Sequence, residues 1–177
     1  MYKISYTAMS SIISIVVIFI FFISYIGTIL KYKKNRGNNT RNDIISIIIL
    51  TLVGIMLISL FFILPLFNGI SIENDHLKVI FTTGFSKIDI TEDDIIRVEV
   101  VDINIQEEYK PVTKNFGTGI NSYKEGRFTL KNGEHALVYI NEEKVLLIET
   151  NDKLLLLAPD EFNKFLADFE ENITNIQ

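Results

Sequence analysis

The run IISIIILTLVGIMLISLFFILPLF, residues 44–67, carries no charged side chain across twenty-four positions. As a helix rising ~1.5 Å per residue it reaches about 36 Å, enough to cross a hydrocarbon core of about 30 Å with some tilt. A second uncharged run, residues 4–30, lies upstream and is densest over 12–26. A buried core helix accounts for neither, because both are too long and neither has a polar face. A cleaved leader would show a basic start, a shorter apolar core and a small-residue exit. Here only Lys3 precedes the core and Lys31-Tyr32-Lys33-Lys34 follows it at once. The expectation is therefore two transmembrane α-helices, about 8–30 and 44–67, within a helical membrane hairpin covering residues 1–67.

The segment joining them, residues 31–43, holds five basic residues against Asp43 alone. The positive-inside rule puts such a short loop in the cytoplasm, so the N-terminus and everything after Phe67 are expected outside. Ser10, Ser14, Ser24 and Thr28 form one stripe with Val17 and Phe21, and Thr51 and Gly54 share a face of the second run. Small and hydroxyl residues let helices approach closely in lipid, so these positions predict a seam between the helices or between copies in a homo-oligomer. A polar pore is not expected, since no ionisable group lies inside either run.

Charge divides the chain sharply. The net charge is −5, but six basic residues against one acidic precede Ile70, which leaves −10 for the remainder. That sign argues against nucleic acid and anionic headgroups as partners. There is no cysteine, which excludes disulfides, thiolate metal sites and cysteine nucleophiles. Heavy use of Ile, Asn and Lys suggests a bacterial source of AT-rich coding sequence, and hence a bacterial plasma membrane.

From Ile70 onward the pattern is that of short strands. Residues 70–72 and 77–83 flank a turn at Glu73-Asn74-Asp75, and 87–90 follows Gly84. In 95–105 the apolar set slips phase, Ile96, Val98 and Val100 giving way to Val101, Ile103 and Ile105, which predicts a bulge near Val100–Val101. Residues 106–122 read as a long polar loop. Two hairpins follow, 127–131 with 135–140 across Asn132-Gly133, a type I′ signal, and 144–150 with 154–157 across Asn151-Asp152. A helix over 159–173 closes the domain, with Phe162, Phe165, Leu166, Phe169 and Ile173 on one stripe. This order predicts a small antiparallel β sandwich or barrel over 70–173 with a C-terminal capping helix.

The segment Gly117-Thr-Gly119-Ile-Asn-Ser-Tyr123-Lys-Glu-Gly126-Arg127-Phe128, with Asn132-Gly133, Ala136, Tyr139 and residues 145–150, resembles the bacterial pleckstrin-homology-like (PH) family. Its members often carry membrane spans ahead of the domain. The shared positions are glycines, turns and core residues, so the resemblance implies a fold rather than a ligand. The family's usual Ser-Pro entry to the last helix is Ala158-Pro159 here. Lipid-binding eukaryotic members rely on a basic first hairpin, whereas here His76 and Lys78 face Glu73 and Asp75, so phosphoinositide binding is not expected.

No catalytic set, cofactor or metal site is expected. Gly117-Thr118-Gly119 lacks the spacing and following Lys-Ser/Thr of a phosphate loop. His76 and His135 lie on different hairpins without a ligand motif. Asp93-Asp94 and Glu107-Glu108 have no calcium-loop spacing. The suggestive set is Tyr109, Phe116, Gly117, Gly119, Tyr123 and Arg127, read as a partner-binding loop with Arg127 able to meet a carboxylate or phosphate, or to pair with a neighbouring Glu. The expectation is a non-enzymatic, membrane-integral PH-like module binding an unidentified protein or ligand at the cell surface. Two alternatives stay open: a protective, immunity or stress-response protein acting through its helices, and a regulatory subunit of a membrane complex.

Overall fold

The computed structural model describes residues 1–4, 8–34, 40–59, 67–81 and 87–176, in two units: Ala8–Leu66, and Met1–Thr7 with Phe67–Gln177.

In the helical unit, α1 (Ala8–Lys34) and α2 (Thr40–Ile58) run antiparallel. A Cβ on Gly54 would lie 2.8 Å from the Phe21 ring, and the Tyr25 hydroxyl sits 3.2 Å from Thr51 Oγ1. The seam expected at Phe21, Thr51 and Gly54 is present, while Thr28 turns its hydroxyl back to the Ser24 carbonyl at 3.0 Å. Among the described residues one helical stretch, Ile15–Lys34, is long and apolar enough to cross a membrane, and none of it is buried within the protein. The apolar part of α2, Ile44–Ile58, is shorter, and residues 60–66, the rest of the expected second span, lie outside the described residues.

In the β unit, Asn74 and Asp75 take left-handed angles (φ 53° and 61°), forming the tight turn that folds β1 (Gly69–Glu73) onto β2 (His76–Ile80). Strand β3 (Lys87–Ile90) completes a three-stranded sheet. The second sheet has the order β4-β8-β9-β7-β6-β5, built from β4 (Ile95–Asp102), β5 (Pro111–Ile120), β6 (Tyr123–Leu130), β7 (His135–Ile140), β8 (Lys144–Thr150) and β9 (Leu154–Ala158). It is mixed rather than purely antiparallel, because β7 and β9 run parallel. Residues 145–148 and 155–157 are fully buried in the centre of this sheet, which is why they read as continuous apolar runs.

Several details differ from the expected pattern. The β6–β7 connection is a four-residue loop, 131–134, with only Gly133 left-handed (φ 93°), not a type I′ pair. The irregularity in β4 falls at Ile96, between Ile95 and Arg97, and pairing through Val100 and Val101 is regular. Helix α3 starts at Phe162 rather than Pro159, and the Asp160 amide ahead of it donates to the Lys3 carbonyl at 3.0 Å. Phe162, Phe165 and Phe169 are its buried residues, each contributing roughly 1.5–3 kcal/mol by leaving water.

The largest correction concerns the N-terminus. Residues 1–4, assigned to the membrane hairpin by the sequence pattern, belong to the β unit. Tyr2 exchanges both backbone hydrogen bonds with Ile70, at 2.5 and 2.7 Å. The Ile4 amide donates to the Tyr139 hydroxyl at 3.2 Å, and the Tyr2 hydroxyl donates to Asp168 on α3. Tyr2 also meets Phe165 edge-on, with ring centroids 5.4 Å apart. Gly69 permits this approach, since its φ of 148° is open to glycine and a Cβ there would fall 2.8 Å from the Tyr2 carbonyl oxygen.

Burial, followed by the Asp168 hydrogen bond, pushes the Tyr2 hydroxyl from 10.0 up to about 12. The folded state thus holds this proton more tightly than the unfolded chain. Its stabilisation is complete below pH 10 and lost as pH rises towards 12. Urea unfolding should therefore show the wild-type β unit losing more stability between those pH values than Tyr2→Phe does; parallel losses would contradict this.

Candidate functional site

The expected loop at residues 106–122 is mostly strand. A single turn of 3-10 helix, Glu107–Tyr109, leads into β5, a ten-residue edge strand. Two register shifts, at Val112 and Asn115, break its alternation. Its side chains from Val112 to Phe116 are exposed, which explains the polar composition.

The six residues expected to form one surface separate. Tyr123 is fully buried and its hydroxyl donates to Glu125, itself buried and contacted by Asn68 Nδ2 at 3.5 Å. Tyr123 therefore belongs to the core. Gly117 and Gly126 face each other across β5 and β6 with φ near 120° (118° and 120°). A Cβ on either would fall 2.0–2.2 Å from the opposite backbone, so these glycines set strand spacing. A Cβ on Gly119 would lie 3.3 Å from the Phe128 ring. Gly117-Thr118-Gly119 thus lies within a paired strand.

Tyr109 is half-buried, and its hydroxyl accepts a 2.6 Å hydrogen bond from Arg97 Nη2. Arg97 also pairs with Glu99 beside it and lies 3.8 Å from Glu149 on β8. The Tyr109 hydroxyl and the Glu99 carboxylate raise the guanidinium's proton affinity further. This cluster borders a polar hollow of about 450 Å³ that also takes in Glu108, Glu134 and His135.

Phe116 and Arg127 remain, and the register pairs them directly, with Leu137 next across β7. Phe116 is 52% exposed. Arg127 is exposed and forms no ion pair among the described residues, so the expected alternative of a cross-strand Glu partner is not realised. Beside it lies a groove of about 280 Å³ with Leu137 and Leu154 among its apolar lining and His135, Asp152 and Lys153 as its other polar lining. In the neighbouring row, Asn115 Nδ2, Thr129 Oγ1 and His135 Nδ1 lie 3.1–3.2 Å apart. Nothing local in the sequence pointed to Lys153 and Leu154, which arrive through the parallel β7–β9 pairing.

One member of each acidic pair has a structural partner. Asp94 accepts 2.9 Å hydrogen bonds from the Thr91 amide and hydroxyl, which hold its carboxyl below the ordinary value. Glu107 pairs with Lys131, which lowers its carboxyl likewise. His76 lies 2.7 Å from Asp89. Among the described residues no cluster of three His, Asp or Glu is placed to hold a metal ion.

Two sheets, a C-terminal helix packed by its phenylalanines, and the Gly117–Gly126 close approach define a PH-like domain. The family model described as Bacterial PH domain matches residues 68–173, and the chain belongs to that family. No curated protein and no solved structure matches the chain.

Core and surface roles separate by stability. Tyr123→Ala should destabilise the β unit by about 3–5 kcal/mol, while Phe116→Ala and Arg127→Gln should each stay within about 0.5 kcal/mol. Urea unfolding checks both; a large loss from either surface variant would move that residue into the core.

Proposed function

We propose that the protein is a non-enzymatic interaction module: a PH-like domain held at the bacterial plasma membrane by a two-span hairpin, facing away from the cytoplasm. One observation carries this reading. Residues 1–4 and residues from Asn68 onward build the same β unit, and the whole helical unit is inserted between them. A chain that leaves a folded domain and returns to it must cross a membrane an even number of times. Since Ile15–Lys34 has the length and hydropathy of a span and buries none of its surface in the protein, the return path needs a second crossing. Residues 44–67 supply one in sequence.

Lys31, Lys33, Lys34, Arg36 and Arg41 at the hairpin's turn favour the cytoplasmic side for that turn. The exposed apolar side chains of α1, among them Phe19, Ile20 and Ile23, are those of a lipid-facing helix rather than a helix in water. Tethering raises the effective concentration of a weakly binding domain near other membrane proteins. The exposed Phe116–Arg127 pair is the contact surface, since aromatic and arginine side chains are enriched at interfaces.

The natural absence of cysteine makes the topology directly measurable. Single replacements Lys3→Cys, Gly37→Cys and Asn151→Cys are treated with a membrane-impermeant maleimide. Positions 3 and 151 should label in intact cells and position 37 only after lysis. Labelling of 3 and 151 from opposite sides would exclude the inserted hairpin, and the inverse pattern at all three would reverse the orientation.

A further inference from the structure

Arg127 stands out electrostatically. The domain after Ile70 carries −10, and the other Lys and Arg side chains lining the sheet's outer hollows are occupied: Arg97 by Glu99 and Glu149, and Lys153 by Asp152 at 3.1 Å. Arg127 is exposed, forms no ion pair among the described residues, and lies between two apolar neighbours, Phe116 and Leu137. A guanidinium presents a rigid fork of donors that matches a carboxylate. The adjoining groove offers Leu137 and Leu154 to an apolar side chain.

Resting on the reading of this surface as an interaction site, we propose that it binds an acidic protein segment in which Asp or Glu stands beside a large apolar residue. The carboxylate meets Arg127, and the apolar side chain packs over Phe116 or into the groove at Leu137 and Leu154. Charge decides between this ligand and an anionic lipid surface. A bilayer presents many charges over a wide area and would meet the domain's whole −10. A single carboxylate at a narrow groove meets mainly what lies within a Debye length of about 8 Å, here Arg127 beside Lys153 and Asp152, which pair with each other.

The test uses the full chain in nanodiscs of zwitterionic lipid. Short fluorescent peptides carrying a Phe-Asp-Leu-Glu core are compared with Phe-Asn-Leu-Gln versions, and phosphatidylglycerol vesicles form a separate arm. The acidic peptides should bind more tightly than the amide ones. Arg127→Gln should remove about tenfold or more of that affinity and abolish the preference. Phe116→Ala should weaken both peptides alike, and Arg127→Lys should restore part of the acidic preference. Equal binding of the two peptides, no binding of either, or a preference that survives Arg127→Gln would overturn the proposal. So would Arg127-dependent binding to the vesicles without peptide discrimination. The cysteine labelling tests the tethered topology independently, so failure of this ligand assignment is distinguishable from failure of the anchoring itself.

Discussion

The backbone pairing of Tyr2 with Ile70 is the constraint on which the rest of the architecture turns. It joins four residues that precede the helical unit to the first strand that follows it. Each partner of this short segment is specific: Gly69 clears space for it, Tyr139 caps the Ile4 amide, Asp160 meets Lys3, and Asp168 receives the Tyr2 hydroxyl. Burial of Tyr2 and Ile4 within the core makes the segment a structural part of the domain. In sequence, the helical unit is then an insertion between two parts of one folded body.

In the six-stranded sheet, the same economy of space shapes the candidate binding surface. Glycines at 117 and 126 draw β5 and β6 together where any side chain would collide with the opposite backbone. Buried Tyr123 and Glu125 precede Gly126 on β6, and Phe128 and Leu130 follow it, so inward positions change phase at the glycine. That change turns Arg127 outward, level with Phe116 and Leu137. The buried runs of β8 and β9 hold this surface from behind, and the parallel β7–β9 pairing brings Leu154 and Lys153 to its rim.

Much of this was legible in the sequence where the signal is local. The apolar stripe of α3, the β8–β9 hairpin across Asn151-Asp152 and the helix seam at Gly54 follow from periodicity and residue size. The β5 strand was not legible, because an edge strand exposed over Val112–Phe116 and broken by two register shifts has the composition of a loop. Tyr123 was misplaced for a related reason: its polar neighbours read as a loop, and the inward partner of its hydroxyl is a buried carboxylate, Glu125. The N-terminal pairing is a contact between positions separated by the whole helical unit, and four residues are too few to show a strand period. Of the candidate site, Phe116 and Arg127 were visible as types, while their adjacency required the register.

Amide hydrogen exchange at Tyr2 and Ile70, read by NMR on the full chain in a membrane mimetic, tests the inserted-hairpin account most directly. The account predicts that both amides exchange as slowly as those of the buried strands β8 and β9, opening only when the β unit unfolds as a whole. Rapid exchange at Tyr2 and Ile70 while β8 and β9 stay protected would contradict it, because residues 1–4 would then be no part of the domain.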